Sequence, residues 1–593
     1  MTFFSTPLKQ LGWPLILCLG AALAATLGIA IGGKLSTNSA LAVGSNAPKA
    51  AAATATPATR PEATNLAAAY LSGRHAEINA DAEKAVKFYD RVTGLDPENL
   101  NAVQSTYFLA TQNGDFAAAV PAARRSYDAN PRRGMASVIL AVDQIKAGEY
   151  AKAFAYLPRS SAQTMNAFAL PVMRAWAIAP QRTVENAIDE LQGLKNFQET
   201  ASLVDAVTGQ LNEFYGRKPE ALAAYDALAA RAENKDFLFS MLSAAAEGYH
   251  RLGKDDQIKP LFDRFNKVHA ASPTVDAYAA IVAKMPVRKV TPAEGMADAM
   301  FMSAELLLMN DPNEVRAQIA TAYAQAALYL NPDLDIARRF IGSTLAARNH
   351  FDESNAILAS LKKTSPGYLE VQMQIAENLL RMNKTDEALA ALQSVLKDKP
   401  TWAEAHVATG DILRQQKKFN ESVTAYDNAL KYAGNRPENW AIYYSRGISL
   451  ERNKNWDAAE KDFRKALELR PDDPNILNYL GYSYLDRGVK LGEARRLIEN
   501  AYRQRPNDGY IIDSFGWALY MNGEYAQAVQ SLEKAVESTP ADATVNEHLG
   551  DVYWKVGRRN EARFQWERAL GLEIDEELRV GLRKKLERGL AQK

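Results

Sequence analysis

Nine prolines recur in this chain at a nearly constant interval. Pro97 and Pro131 are 34 residues apart, as are Pro332, Pro366 and Pro400, then Pro437 and Pro471, then Pro506 and Pro540; the gaps of 37 and 35 between the last groups are small insertions. A fixed period of this length describes stacked two-helix units rather than one closed core. One such unit cannot bury its apolar face alone, so neighbours stack into a solenoid. The length of 593 residues, which in another chain would suggest several domains, here reflects growth by addition.

Other positions fall into register with the proline. The unit from Trp440 places Gly447 eighth, Leu450 eleventh, Ala459 twentieth, Phe463 twenty-fourth, Ala466 twenty-seventh and Pro471 thirty-second. The unit from Gly509 gives Gly516, Leu519, Ala528, Leu532, Ala535 and Pro540, and the unit from Ala543 gives Gly550, Tyr553, Ala562, Trp566 and Ala569. Small residues at the eighth, twentieth and twenty-seventh positions let two antiparallel helices approach. Large ones at the eleventh and twenty-fourth fill the space between them, and the proline stops the second helix. The pattern resembles the tetratricopeptide repeat over residues 66 to 574. The resemblance implies an all-α fold, a right-handed α-solenoid.

The N-terminal half keeps the same beat. Units starting at Leu66, Leu100, Gly134, Phe168 and Ser202 put Ala85, Ala119, Ala153, Ala187 and Ala221 at the twentieth position, and a sixth unit starts near Phe239. Phase is lost over 274–296, around Pro286 and Pro292, which reads as a joint between two arrays. The second array then runs over 297–574, opening with a stretched unit that ends at Pro332. About fourteen repeats result. Residues 575–593 close the array with a capping helix. Asp575 to Glu577 start it, Arg583, Lys584, Lys585 and Arg588 suit the dipole at its end, and Leu578, Leu582, Leu586 and Leu590 form one apolar stripe.

Residues 1–42 differ from the rest. They contain Lys9 and Lys34 but no acid, an apolar run from Leu11 to Gly33, and then Ala40-Leu41-Ala42, a small-x-small cleavage pattern. One reading is a secretory signal cleaved after Ala42, giving a periplasmic protein. The other is an uncleaved inner-membrane anchor, since the run can span a bilayer. Either puts the repeats on the far side of the membrane. The single cysteine, Cys18, lies within this run behind Leu17 and lacks the small residue that lipidation needs. Residues 43–65, rich in Ala, Thr and Pro, read as a disordered tether.

The chain has 70 basic and 70 acidic residues, so no cationic surplus points to nucleic acid. Its six histidines fall in different units with no i, i+4 pair, and neither a metal nor a cofactor is expected. Nothing in the sequence forms a nucleophile–base pair, so an enzyme is not expected.

By the resemblance, the first helix of each unit lines a concave groove through about its second, fifth, ninth and twelfth positions. Those positions are Asp411 and Arg414; Tyr444 and Glu451; Asn478 and Tyr482; Tyr510, Asp513, Trp517 and Tyr520; and Glu547, Asp551 and Trp554. Aromatic anchors among polar groups suit a peptide or protein partner. The competing reading is that Trp517 and Trp554 pack between adjacent units. The carboxylate clamp of chaperone-binding members is matched only at Asn478. The runs Asn478-Tyr479-Leu480-Gly481-Tyr482, Pro506-Asn507-Asp508-Gly509-Tyr510 and Arg558-Arg559-Asn560-Glu561-Ala562-Arg563 are similar to long envelope tetratricopeptide proteins of Gram-negative bacteria. That likeness implies a protein-binding scaffold or adaptor in the cell envelope, working with periplasmic proteases or cell-wall enzymes. The alternative is an anchored structural part of a secretion or polysaccharide-export assembly.

Overall fold

The computed structural model describes residues 65–78, 81–131, 134–159, 167–269, 273–310 and 313–590. The leader or anchor, its Ala40-Leu41-Ala42 site, Cys18 and the tether up to residue 64 lie outside them. Among the described residues the chain forms thirty α-helices and no strand, and no helix is long and apolar enough to cross a membrane. The helices form two compact units, one ending at Ala391 and the other running from Leu392.

One contact, repeated, builds both units. The eighth-position glycine of a first helix sits directly on the twenty-fourth-position side chain of the second. A Cβ at Gly73 would meet the Tyr89 ring at 3.0 Å, at Gly209 the Tyr225 ring at 2.7 Å, at Gly447 the Phe463 ring at 2.7 Å and at Gly550 the Trp566 indole at 2.5 Å. The five in-phase alanines Ala85, Ala119, Ala153, Ala187 and Ala221 are fully buried. Each buried aromatic or aliphatic side chain contributes about 1.5–3 kcal/mol.

The ends of the helices follow from local chemistry. Asp473, Asp508 and Asp542 cap first helices, each accepting hydrogen bonds from two backbone N–H groups. Turns inside eleven of the repeats place a residue in the left-handed region, at Gly114, Gly148, Gly216, Gly253, Asn349, Asn383, Lys417, Lys454, Gly488, Gly523 and Gly557, and Lys490 joins Gly488 there. Seven of these twelve are glycine, the residue for which that conformation carries no Cβ penalty.

The sequence expectation of a joint at 274–296 differs from what the structure forms there. Helix Pro273–Val282 occupies the start of that stretch, and a hairpin of two long helices, Pro292–Asn310 and Glu314–Leu330, follows it. The hairpin lies on the inner face of the N-terminal unit, the face made by the first helices. Pro292–Asn310 packs on Ala169–Ile178, Ala201–Phe214 and Phe239–Arg251, and Glu314–Leu330 on Leu100–Gln112 and Gly134–Lys146. Phe116 stacks on Tyr329 at 4.1 Å, and Lys146 Nζ donates to the Tyr329 carbonyl at 2.7 Å. One apolar core therefore runs from Phe116 to Ile341, and the loss of phase marks an infolded hairpin within one compact unit.

The seam is tight at Gly295, where a Cβ would lie 2.0 Å from the fully buried Trp176 indole. Gly295→Ala should cost about 1–3 kcal/mol by overpacking. Gly94→Ala, at a position with open space around it, should be neutral or slightly stabilising. Urea unfolding of the two variants compares them directly.

The unit from Leu392 ends in helix Glu576–Arg588. Asp575 caps it, accepting from the Leu578 N–H at 2.9 Å. Leu578 and Leu582 are buried in the last core cluster, with Leu586 and Leu590 packed beside them.

Candidate functional site

The thirteen groove positions all fall in the unit from Leu392, on first helices that pack side by side, Pro474–Asp486 on Gly509–Met521 and Gly509–Met521 on Ala543–Lys555. They divide into three sets. Asp411 and Arg414 pair with each other at 3.2 Å, and Asp411 also accepts from the Tyr426 hydroxyl at 2.7 Å. Tyr444 is held edge-on by Tyr479 at 5.8 Å, while Glu451 pairs with Arg487 at 3.2 Å. These four residues are engaged within and between adjacent repeats.

The second set converges. Trp517 stacks on Tyr520 at 4.6 Å and, on the imidazole of His548, at 4.0 Å; Tyr482 lies 6.2 Å from the same imidazole. Trp517, Tyr520 and Tyr482 are all partly exposed. Behind them Asp513 is fully buried, and both its oxygens lie 3.0 Å from His548 Nδ1. Burial opposes a charge on His548, but the Asp513 carboxylate, with Glu547 and Asp551 beyond it, outweighs that and holds its pKa above the ordinary 6.5. Burial pushes the carboxyls of Asp486 and Asp542 upward, and with Asp551 near it raises the Tyr520 phenol to about 12. Asn478 is buried with its Oδ1 unpartnered. Tyr510 stands half-buried in the first turn of its helix, its N–H donating to Asp508 at 3.1 Å.

The third set is taken by the chain itself. Lys585, on the last helix, reaches Asp551 at 2.6 Å and Glu547 at 2.8 Å. The Trp566 indole N–H also donates to Asp551, at 2.9 Å. Trp554 lies 5.3 Å from the Trp566 ring centre and packs so closely on Gly589 that a Cβ there would come within 1.9 Å. The expectation that Trp517 and Trp554 share one open wall is therefore corrected. Trp554 is packed under the end of the capping helix, because that helix crosses the last repeat where a further repeat would stack.

His548 lies outside the groove positions expected from the register. It stands 35 residues after Asp513, one step from that register, so only its burial against the carboxylate betrays it. Lys585, expected to serve the helix dipole, instead neutralises two acids on the neighbouring helix. Among the described residues no group of three or more His, Cys, Asp or Glu is arranged to hold a metal ion.

The tetratricopeptide repeat family model matches residues 109–162, 373–437, 410–474 and 444–509, and a second model, described as TPR repeat, matches 516–557. The chain carries tetratricopeptide repeats. Among curated proteins it is similar to TPR repeat-containing protein PA4667 of Pseudomonas aeruginosa, 38% identical over 115 residues, or 19% of either chain. It is 28% identical over 106 residues to the aspartyl/asparaginyl beta-hydroxylase of Homo sapiens, covering 17% of this chain and 14% of that one. The matches thus span less than a fifth of these relatives' own length. Among solved structures, a chain of the APC/C hetero-tetramer Cut9-Hcn1 aligns over 89% of this chain and 97% of its own, with 15% identity and a TM-score of 0.36. Tetratricopeptide repeats generally mediate protein–protein interaction.

Proposed function

We propose that this protein is a non-enzymatic scaffold that binds a protein or peptide partner on the inner face of its C-terminal unit, over Tyr482, Trp517 and Tyr520. The observation that carries this reading is the partly exposed Tyr520–Trp517–His548 stack, with Asp513 behind it and Asp486 and Asp542 among the charges around it. Aromatic faces beside carboxylates suit a cationic side chain, through cation–π attraction and charge. The partner segment is accordingly one that presents Lys or Arg.

Trp517→Ala should weaken the partner by about 2 kcal/mol or more, roughly thirtyfold, as expected of an anchor, with helix content unchanged. Trp554→Ala should instead lower the melting temperature and leave affinity nearly as it was. Partners captured from envelope extract by the mature protein supply the ligand for titration calorimetry. Equal affinity of wild type and Trp517→Ala would move the site elsewhere.

The reading places the protein in the bacterial cell envelope, periplasmic after cleavage near Ala42, as an adaptor for periplasmic proteases or cell-wall enzymes. The sequence of residues 1–42 supports that address. Mass spectrometry of the protein from cells should find a mature chain starting at Val43. A chain that keeps residues 1–42 in the membrane fraction would favour the anchored structural component, and recovery of the soluble chain from the cytoplasm would reject both.

A further inference from the structure

A cavity of about 180 Å³ opens in the N-terminal unit where three helices meet: Phe239–Arg251, Pro292–Asn310 of the infolded hairpin, and Asp335–Ala347. Phe239, Tyr278, Phe301 and Met302 give it apolar walls. The polar groups in it are unevenly matched. Arg339 is half-buried and lies against Gly367, where a Cβ would come within 2.4 Å of the guanidinium. Among the described residues that guanidinium makes no hydrogen bond or ion pair; Glu370 and Asp335 act on it only at longer range. Other half-buried or buried arginines of this unit are paired: Arg174 with Glu190 at 2.7 Å, Arg251 with Glu213 at 2.9 Å and Arg338 with Asp335 at 3.0 Å. Five N–H donors in a fixed fork are thus unanswered at Arg339, in the geometry that takes a carboxylate.

Two other helices bring acids to the same cavity. Asp298 accepts from Gln210 Nε2 at 2.8 Å, and Glu247 accepts from the Tyr278 hydroxyl and pairs with Arg251 at 3.3 Å. Burial, with the Glu247 charge beside it, raises the Asp298 carboxyl to about 7. Neither acid is among those acting on Arg339, so the cavity keeps the cation and these anions apart. The Ser240 hydroxyl, on a residue 5% exposed, lines the wall beside the buried Glu305 carboxyl.

We propose that this cavity binds a small zwitterion of amino-acid size, its carboxylate on Arg339, its ammonium against Asp298 and Glu247, and its apolar side chain along Phe239, Phe301 and Met302. Size favours this class, because drug-sized ligands fill about 300–1,000 Å³. Charge favours it over a phosphate, since Glu247, Asp298, Asp333 and Asp335 all line the cavity and would repel a second negative charge. The site is separate from the aromatic face of the C-terminal unit and independent of the partner proposed there.

Thermal melting and titration calorimetry of the full chain at pH 8, against each of the twenty amino acids, test the proposal. Leucine, methionine or phenylalanine should bind and raise the melting temperature, and the amide or N-acetyl form of the same amino acid should bind about tenfold more weakly or worse. Binding should weaken from pH 8 to pH 6 as Asp298 takes up a proton. Arg339→Gln should abolish binding. Gly367→Ala keeps the charge but pushes the guanidinium aside, and should weaken binding even if Arg339→Gln does not fold. The proposal is overturned if no amino acid shifts the melting curve, if the amide binds as well as the acid, or if inorganic phosphate binds in preference. It is equally overturned if Gly367→Ala binds as wild type, or if Arg339→Gln only destabilises the free protein, which would assign the guanidinium to Glu370.

Discussion

Deletion of residues 575–593 should destabilise the C-terminal unit by more than any single substitution within it. The deletion uncovers the face that Leu578 and Leu582 bury, each contributing about 1.5–3 kcal/mol. It also removes Lys585 from Asp551 and Glu547; the cost of about 3–5 kcal/mol for breaking a buried ion pair falls in full on Lys585→Ala, where the helix still covers the acids. Against a total stability of roughly 5–15 kcal/mol, the sum should unfold or aggregate the last repeats at ordinary temperature. Lys585→Ala isolates the electrostatic part, and part of its cost is relieved as Asp551, whose carboxyl burial already pushes upward, takes up a proton. Thermal and urea melts of both variants measure the two contributions. A truncated chain that melts like the full one would reject the cap.

Asp513→Asn should cost about 3–5 kcal/mol near pH 6, since it leaves the buried His548 without its counter-charge. The cost should shrink toward pH 8. The sign follows from linkage: the folded pKa of His548 is raised above its ordinary 6.5, so the native state holds its proton more tightly than the unfolded chain does. The stability this supplies is complete below the unfolded pKa and is lost as pH rises through the folded one. Glu547 and Asp551 add to the field at the imidazole, and His548 acts in turn on Asp486 and Asp542. Urea unfolding of wild type and variant at pH 6 and pH 8 gives the difference; a gap that widens with pH would contradict the charged imidazole.

The repeat was legible in the sequence because one packing contact recurs along the chain, from Gly73 to Gly550. Gly447 on Phe463 and Gly550 on Trp566 are the same event, and a contact between residues 16 apart leaves a mark at a fixed interval. Contacts without that regularity left no such mark. Glu314–Leu330 meets Leu100–Gln112 across some two hundred residues, and nothing periodic encodes such a return. A different signal was present: Met300, Phe301, Met302, Ala304, Leu306, Leu307 and Leu308 are all buried, and a helix apolar all round is one surrounded by protein. Register alone carries Tyr482, Trp517 and Tyr520 onto first helices that pack side by side. Beyond them, Glu547, Asp551 and Trp554 keep the register but meet the capping helix, whose course over the last repeat depends on where the array stops.

The in-repeat turns divide the molecule in a way the packing does not. At Asn349, Asn383, Lys417 and Lys454 the left-handed residue is not glycine, and all four side chains are exposed. Each such turn holds roughly 1 kcal/mol of backbone strain that glycine would not. A solenoid behaves as a row of coupled units, each with its own intrinsic stability. The four repeats turned at Asn349, Asn383, Lys417 and Lys454 therefore start from a deficit that repeats turned by glycine alone do not carry. Unfolding should break first at those repeats, so amide protons there should exchange before those of the repeats turned by glycine alone. The same four positions lie far enough apart for glycine replacements to add independently, which makes the middle of the array the part most open to stabilisation.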